Sequence, residues 1–370
     1  MVYIHERAEW PDFEWSAEKL SDSLALVRHK QGRLLGRMGN LGFQLKAEAS
    51  LQTLTEEVVK SSEIEGEILD RDQVRSSIAR RLGMDIGALT PAERHVEGVV
   101  ELMLDATQKY EQALTADRLF GWHAALFPTG RTGMQKITVG GWRTEQAGPM
   151  QVVSGPLGRE HVHFEAPTAR RLQSEMKAFL DWFNAEQGQD PVIKAALAHL
   201  WFVTIHPFED GNGRIARAIA DLALARSEHS TQRFYSMSAQ IRKERRAYYD
   251  ILERTQRGTL DITNWLDWFV GCLGRAFDGA DSIIGNVLQK AAFREKHATS
   301  GLNDRQQLML NRLLDGFEGK LTSSKWAKIA KVSQPTATRD IDHLIKRGIL
   351  QKDAAGGRST SYSLVPSSAD

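Results

Sequence analysis

The sequence predicts a mainly α-helical protein: a helical bundle with one β-hairpin, followed by a small winged helix-turn-helix domain. Three observations support this fold class. Apolar residues recur at helical spacing from Leu20 to Phe277. This pattern is interrupted mainly around residues 128–168, where short apolar alternation takes its place. A polar stretch near residues 296–304 then precedes a last segment of short helix and strand patterns.

The composition limits the classes of function. A chain of 370 residues exceeds what one hydrophobic core serves, so two or three domains are expected. A net charge of +1, from 48 basic and 47 acidic residues, argues against bulk attraction to nucleic acid or a membrane. The charged start MVYIHERAEW is unlike a signal peptide, and no apolar run is long enough to span a bilayer, so we expect a cytoplasmic protein. The single cysteine, Cys272, excludes an internal disulfide.

A predicted helix near residue 58 leads into the segment Ser-Ser-Glu-Ile-Glu-Gly at residues 61–66. Its apolar stripe consists of Leu51, Leu54 and Val58. Three carboxylates then stand at alternate positions, namely Glu63, Glu65 and Glu67. From the residues alone, an ordinary solvated helix end is an open alternative to a functional site.

Residues 150–165, MQVVSGPLGREHVHFE, predict the hairpin. Apolar alternation flanks a turn-forming tip, Ser154-Gly155-Pro156-Leu157-Gly158. His161 and His163 lie two apart on the second strand and therefore share a face. Structural or substrate-contact roles are favoured for them over metal binding. A plain surface hairpin is the alternative to a functional one.

The next helix should end near His206, because Pro207 disfavours helical geometry in the residue before it. Its apolar stripe consists of Ile193, Ala196, Leu197 and Leu200. A neutral imidazole at this position could accept a proton from a hydroxyl. A zinc site that joins His206 to His199 is a weaker alternative, since neither an H-E-x-x-H pattern nor a cysteine pair accompanies them.

The run that begins at His206 reads His-Pro-Phe-Glu-Asp-Gly-Asn-Gly-Arg-Ile-Ala-Arg. Glycines on both sides of Asn212 let successive backbone N–H groups point into one concavity at the start of the following helix, where an anion would bind. Arg214 and Arg217 share one face of that helix and could grip further phosphate oxygens. Asp210 could hold a magnesium ion. A capped core helix with satisfied polar groups is the alternative.

The last segment has the element order of a winged helix. One helix carries Leu308, Leu310, Leu313 and Leu314, a second is capped by Thr322 or Ser323, and a third runs from Gln334-Pro335 to Lys346. A strand should begin at Arg347, with a hairpin tip at Gly356-Gly357 before Thr360–Leu364. The stretch from Thr322 to Arg358 contains eight Lys or Arg residues and three Asp residues, which predicts a locally basic surface. Thr336, Thr338 and Arg339 would lie where base-reading side chains are found. Binding of DNA and docking of a protein both stay open.

The run HPFEDGNGRIAR resembles the signature of Fic-domain proteins, H-x-F-x-[DE]-G-N-[GK]-R-x-x-R, and matches every specified position. The resemblance implies transfer of AMP from ATP, with Mg²⁺, to a Ser, Thr or Tyr hydroxyl of a target protein or of the enzyme itself. It implies His206 as general base and Asp210 as the Mg²⁺ ligand. It assigns the phosphates to Gly211, Asn212, Gly213, Arg214 and Arg217, and it places Tyr249 beside the nucleobase.

The segment SSEIEG resembles the Fic inhibitory motif, [ST]-x-x-x-E-[GN], with Ser61, Glu65 and Gly66 at the specified positions. The resemblance implies that Glu65 pairs with Arg217. A carboxylate there would compete with the γ-phosphate of ATP by direct charge replacement. The chain would thus be an autoinhibited adenylyltransferase whose inhibitory motif lies N-terminal to its catalytic core.

The resemblance also implies a docking role for the hairpin: residues 150–165 would be a flap on which the target protein lies by strand addition. The predicted domains are 1–90, helical and with the inhibitory motif; 91–295, the Fic core; and 303–366, the winged helix. Two alternatives to the autoinhibited transferase stand: a nucleotide-sensing, DNA-binding transcriptional regulator, and a de-AMPylase that uses Glu65 to position water. Formation of a homodimer stays open.

Overall fold

The computed structural model describes residues 2–86, 89–156, 159, 161–186, 188–297, 301–314, 317, 319–353 and 360–365. It confirms the mainly helical fold class and the hairpin. The helices are α1 Ala17–Gly39, α2 Phe43–Ile64, α3 Arg71–Arg81, α4 Arg94–Gln108, α5 Ala116–Leu126, α6 Leu172–Asn184, α7 Pro191–Ile205, α8 Asn212–Glu228, α9 Met237–Lys243, α10 Arg245–Gln256, α11 Thr263–His297, α12 Asp304–Leu314, α13 Ser323–Ile329 and α14 Gln334–Lys346. The strands are β1 Arg131–Thr132, β2 Gln135–Lys136, β3 Gln151–Ser154, β4 His161–Glu165, β5 Leu350–Lys352 and β6 Tyr362–Leu364.

The chain divides into two compact units. The first comprises the residues up to Leu82 and Pro91–Asp281, and the second comprises the residues from Ser282 onward with a short segment at 83–90. The predicted domain boundaries at residues 90, 295 and 303 stay predictions. No helix in the described part of the chain is both long and apolar enough to cross a membrane.

Helix α7 forms the centre of the first unit and packs along α8. Its sequence is apolar on all sides, and nearly every side chain from Val192 to Ile205 is buried, as expected of a helix inside a bundle. Asp190 caps its first turn by accepting hydrogen bonds from the N–H groups of Val192 and Ile193. The helix ends at His206, as the following proline predicts.

Helix α2 ends in a turn that fixes the direction of the acidic segment. Gly66 has a φ of +88°, the left-handed region that glycine adopts without a Cβ penalty. The N–H of Glu67 donates to the Ser62 carbonyl at 3.0 Å, and that of Gly66 donates to Glu63 at 3.1 Å. This is the Schellman arrangement of a helix C-terminus.

The predicted hairpin consists of β3 and β4 in antiparallel pairing, with Gln151 opposite Glu165 and Ser154 opposite His161. A register shift interrupts the pairing between Val152 and Val153. Leu157 and Gly158 of the predicted tip lie outside the described residues. A short ribbon of β1 and β2 precedes this hairpin and was not predicted from the sequence.

The second unit contains α12, α13 and α14 followed by the antiparallel pair β5 and β6. Leu321 adds an isolated bridge to Tyr362, which extends this small sheet. The fully buried members of its core include Met309, Trp326, Ile341 and Leu344. The predicted strand start at Arg347 is wrong: Arg347 ends α14 by bonding to His343, and the strand begins at Leu350. The predicted tip Gly356-Gly357 lies outside the described residues.

Candidate active site

His206 stands at the junction of α7 and the loop before α8, in a left-handed backbone conformation with φ of 51°. Non-glycine residues rarely adopt this conformation, and neighbours must hold them in it. Arg143 does so here. Its Nε donates to the His206 carbonyl at 2.8 Å, its Nη2 donates to Pro167 at 2.5 Å, and its own N–H donates to Pro207 at 2.9 Å.

The imidazole of His206 has one protonated and one unprotonated nitrogen. Its Nδ1 lies 3.2 Å from the Val203 carbonyl, which can only accept, so Nδ1 carries the proton and Nε2 keeps a free lone pair. Burial is the main reason that the pKa of His206 is lowered to about 4. The Val203 hydrogen bond opposes this shift, and the Arg143 guanidinium adds to it. The ring is therefore neutral at physiological pH.

The loop between His206 and α8 is closed by Asn212. Its side-chain nitrogen donates to the Phe208 carbonyl at 2.8 Å, and its side-chain oxygen accepts from the Phe208 N–H at 3.0 Å. A contact of Asn212 with phosphate is thus left to its backbone N–H. Gly211 has a φ of +81°, and a Cβ there would stand 2.9 Å from the Phe127 ring. Conformation and space both require glycine at this position.

Asp210 lies beside the start of α8 with its carboxylate at the edge of a cavity. One oxygen accepts from the N–H of Gly211 at 2.5 Å, and the other accepts from the Thr132 hydroxyl at 2.6 Å. Thr132 belongs to β1, so the ribbon that the sequence did not predict supports this side chain. An oxygen donor oriented by two hydrogen bonds fits a hard cation such as Mg²⁺. The assignment of Asp210 to Mg²⁺ stays a prediction.

Arg217 is almost fully buried and has two partners from α2. Its Nη1 lies 2.8 Å from Glu65 Oε1, while Nε and Nη2 donate to the Ser61 hydroxyl at 3.0 Å and the Ser61 carbonyl at 2.8 Å. Two of the three specified positions of the inhibitory motif thus meet the second motif arginine. Gly66, at the third position, forms the turn directly after Glu65.

The Glu65 carboxylate also lies against the backbone at the start of α8. A Cβ placed on Gly213 would collide with Glu65 Oε1, and Arg217 Nη1 would be 3.3 Å from it. The carboxylate therefore stands where an anion would approach the helix N-terminus. Glycine at position 213 is what leaves room for it.

Arg214 is paired with a second carboxylate. Its Nη1 lies 2.7 Å from Glu67 Oε2, and its guanidinium is over the Phe127 ring at 5.2 Å. The sequence interpretation placed Glu67 in an acidic cluster without assigning it a role. Both motif arginines are thus bound by carboxylates two residues apart, on either side of Gly66.

Tyr249 lies on α10 beside Glu65. Its hydroxyl lies 3.4 Å from both Glu65 Oε2 and the Ile64 carbonyl and can donate its one proton to either. The Arg245 guanidinium lies over its ring at 5.1 Å. Burial, with Glu65 next in effect, raises the pKa of Tyr249 to about 12.

The neighbouring Tyr248 is buried, and its hydroxyl forms a hydrogen bond with His199 Nε2 at 2.9 Å. His199 therefore belongs to the core.

Two cavities meet at Glu65. One, of about 460 Å³, is lined by His206, Tyr249, Gly213 and hairpin residues. The other, of about 510 Å³, is lined by Asp210, Arg214 and Glu67. The predicted base and the predicted nucleobase contact thus share one cavity, and the predicted metal ligand and first motif arginine share the other.

Three residues of the site were missed from the sequence: Arg143, Thr132 and Glu67. Arg143 and Thr132 lie far from the motif in the chain, in a region without clear periodicity, and no local pattern marks them. Glu67 carried one usable signal, since it stands two residues after Glu65 across a glycine.

Family models match two parts of the chain. Residues 3–84 match a domain of unknown function, DUF4172, and residues 113–224 match the Fic/DOC family. The second match includes the run from His206 to Arg217.

Curated relatives carry the name protein adenylyltransferase. The chain is 36% identical to the enzyme Fic of Culex quinquefasciatus over 105 residues, which is 28% of this chain and 19% of that protein. It is 28% identical to fic-1 of Caenorhabditis elegans over 166 residues, 44% of this chain and 30% of that protein. It is 26% identical to Fic of Drosophila mojavensis over 235 residues, 62% and 42% of the respective lengths. The chain thus spans less than half the length of each.

Solved structures share the fold. A Fic family protein from Desulfovibrio desulfuricans superposes with a TM-score of 0.52 at 20% identity, covering 94% of this chain and 97% of that one. A Fic domain containing signaling protein from Bacteroides thetaiotaomicron has a TM-score of 0.51 at 20% identity, covering 70% and 98%. These structures share the fold, and by the family-model matches residues 113–224 of this chain are a Fic domain of the Fic/DOC family, preceded by a DUF4172 region.

Proposed function

We propose that this chain is a protein adenylyltransferase that is held inactive by Glu65. It would transfer AMP from ATP to a Ser, Thr or Tyr hydroxyl of a target protein. The observation that carries the proposal is the ion pair of Glu65 with the buried Arg217, next to a neutral His206 with an open Nε2. The names of the curated relatives support the same reaction.

In the reaction the target oxygen attacks the α-phosphorus, the bond from that phosphorus to the bridging β-phosphate oxygen breaks, and pyrophosphate leaves. His206 Nε2 accepts the hydroxyl proton as the attack proceeds. The backbone N–H groups at the start of α8 hold phosphate oxygens, and the motif arginines bind the leaving pyrophosphate. Asp210 would hold Mg²⁺, which supplies charge neutralisation on the phosphates when bound.

Inhibition follows from competition for the same cations. With Glu65 on Arg217 and over Gly213, the γ-phosphate of ATP loses its guanidinium and meets a negative charge instead. ATP would then bind with its α-phosphate out of line with the target hydroxyl. Release of Glu65 restores the arginine to the phosphate.

Labelled ATP with Mg²⁺ and a cell lysate tests the proposal. We expect weak labelling of protein by the wild type, strong labelling by Glu65→Gly, and none by Glu65→Gly with His206→Ala. Glu63→Gly is the matched control, because Glu63 pairs with Lys60 and Arg242 rather than with a motif arginine.

Absence of label from every variant, with ATP binding verified by calorimetry, contradicts the transferase. Loss of AMP from a pre-modified target in the wild type, abolished by Glu65→Gly, would instead identify a de-AMPylase in which Glu65 orients water.

A second function is proposed for the C-terminal unit: binding of DNA. Thr338 and Arg339 are exposed on the first turns of α14, and Thr336 is half-buried. The same unit has further exposed cations, namely Lys325, Lys328, Lys331 and Lys346. A gel shift with the full chain at low and high salt tests it, with Arg339→Ala as the variant that should weaken the complex. No shift at any salt concentration would rule out this role and favour docking of a protein.

A further inference from the structure

A cluster of metal-binding side chains lies where the hairpin meets α10. His161 and His163 of β4 and Glu253 of α10 each offer a ligand atom, and these atoms lie within 4.8 Å of one another. The two histidines share one face of the strand, as their spacing predicts. Glu253 is 90 residues from His163 in sequence, so only the fold reveals the third member.

Both imidazoles converge on the same carboxylate. His163 Nδ1 lies 2.6 Å from Glu253 Oε2, and His161 Nε2 lies 3.8 Å from Glu253 Oε1. Zinc binds imidazole nitrogen and carboxylate oxygen at about 2.0–2.1 Å, so tetrahedral ligand atoms lie roughly 3.3 Å apart. The two observed separations fall on either side of that value, and small side-chain rotations would bring them to it.

We propose that His161, His163 and Glu253 form a binding site for a divalent transition metal of the zinc class. Two imidazoles and one carboxylate are a donor set that Zn²⁺ accepts, with a fourth position left for water or for a group of a bound target. The site is distinct from the predicted Mg²⁺ ligand Asp210, which offers oxygen alone.

The surroundings of His163 suit metal ligation. Its Nε2 lies 2.6 Å from the Ser154 hydroxyl on β3. In the structure Nδ1 carries a proton, because it lies 2.6 Å from a Glu253 oxygen that can only accept. Metal binding would displace that proton to solvent and leave Nε2–H donating to Ser154, with Nδ1 as the ligand atom. A ligand histidine is commonly oriented by such a second hydrogen bond.

Arg257 would compete with the metal for the Glu253 carboxylate, because its Nη1 lies 2.7 Å from Glu253 Oε1. The same guanidinium is held independently by two carbonyls: Nε donates to His163 at 2.9 Å, and Nη2 donates to Val162 at 2.6 Å. The metal would therefore compete with one of its contacts, and Glu253 Oε2 is free of it. Arg257→Gln should tighten metal binding.

The position of the site gives the metal a role in docking. A two-stranded hairpin is marginally stable by itself, and this site would fasten β4 to α10 while Ser154 links β3 to it. His163 and Glu253 line the cavity that contains His206. On the proposed function, bound metal would fix the edge on which the target lies and lower the KM for the target.

Metal binding is measured first without ATP, on the full chelator-treated chain. Co²⁺ serves as the spectroscopic probe and Zn²⁺ as the calorimetric one, both in excess Mg²⁺ so that Asp210 does not contribute. We expect one ion per chain with intense visible Co²⁺ bands, and at least about a tenfold loss of affinity in His163→Ala and Glu253→Gln. His29→Ala is the matched control, an exposed histidine on α1 that should leave affinity unchanged.

Equal metal affinity in all variants would overturn the proposal. So would the absence of saturable metal binding by a wild type whose circular dichroism spectrum shows that it is folded. Melting curves identify a variant that fails to fold, and Glu253→Asp then serves as the second test, with weakened but measurable binding expected. Labelling by Glu65→Gly with and without Zn²⁺ examines the docking role separately. Metal binding with an inactive enzyme would refute the transferase and leave the site standing.

Discussion

At the level of single residues, the main feature of the site is the pairing of its two arginines with carboxylates. Arg214 and Arg217 are largely desolvated cations, and each has a carboxylate partner from the end of α2. A buried cation without an anion is costly, so the arginines favour whichever anion is nearest. The resting anion is a glutamate, and in the proposed reaction it is phosphate.

The pair of Glu67 with Arg214 leads to a prediction about ATP. We expect Glu65→Gly with Glu67→Gln to have a KM for ATP roughly tenfold lower than Glu65→Gly alone, which corresponds to about 1.4 kcal/mol of lost competition. Steady-state labelling at varied ATP measures it. Glu63→Gln in the same background is the control and should leave KM unchanged, and an equal KM in both double variants would refute a role for Glu67.

The second residue-scale prediction concerns pH. The pKa of His206 is about 4, and removal of Glu65 lowers it further because that carboxylate raises it. A lowered pKa keeps the basic form at lower pH, so kcat/KM of Glu65→Gly should stay level from pH 8 to about pH 6 and fall only below about pH 5. A fall centred near pH 6.5, the value of an ordinary histidine, would contradict this. Circular dichroism over the same range checks that the fold persists.

At the scale of elements, two helix ends create the site. The C-terminus of α2 turns through Gly66 and directs Glu65 and Glu67 to the two arginines. The N-terminus of α8 supplies backbone donors beneath them. The two glutamates and the start of α8 thus face each other because one helix ends where the other begins.

Replacement of Gly66 tests the turn. A Cβ in the left-handed region costs about 1–2 kcal/mol, so Gly66→Ala should lower the free energy of unfolding by about that amount. Gly66→Asn should cost less, because asparagine tolerates this conformation. Urea denaturation measures both. Gly32→Ala, exposed within α1 with open space at its Cβ, is the opposite control and should stabilise by about 0.5–1 kcal/mol. Equal effects of alanine at both positions would contradict the structural argument.

At the scale of the whole molecule, the described residues form two compact units, each with buried apolar side chains of its own. Trp265 is fully buried in the first unit, where its Nε1 donates to the Ala196 carbonyl at 2.9 Å. Trp326 is fully buried in the second. Both side chains therefore report on their own unit.

We predict that the units respond separately to core mutations. Trp326→Ala should remove about 3–5 kcal/mol from the second unit and leave labelling by Glu65→Gly intact. Trp265→Ala, the matched change in the first unit, should abolish labelling. Scanning calorimetry with parallel activity assays distinguishes the two. Loss of labelling by Trp326→Ala at a temperature where the first unit is folded would contradict the prediction.

Local sequence patterns were enough to predict several of the elements and the run of residues at the site. Helical periodicity placed α2, α7 and α8, and Pro207 ended α7 at His206, because apolar spacing and proline act over a few residues. The run from His206 to Arg217 marked the predicted site, since its spacing is local to one loop and one helix turn. The same locality led to the wrong strand start at Arg347, where one further helical hydrogen bond to His343 extended α14.

The meeting of groups that are distant in the chain follows from the packing of the folded protein. Arg143 holds His206 in its strained conformation, Glu67 pairs with Arg214, and Glu253 joins two hairpin histidines. These contacts join residues 63, 147 and 90 positions apart. Sequence periodicity indicates which face of one element is buried. It carries no information on which other element covers that face. The packing of the elements decides which charged and hydrogen-bonding groups meet at this site, and that packing exists only in the folded protein.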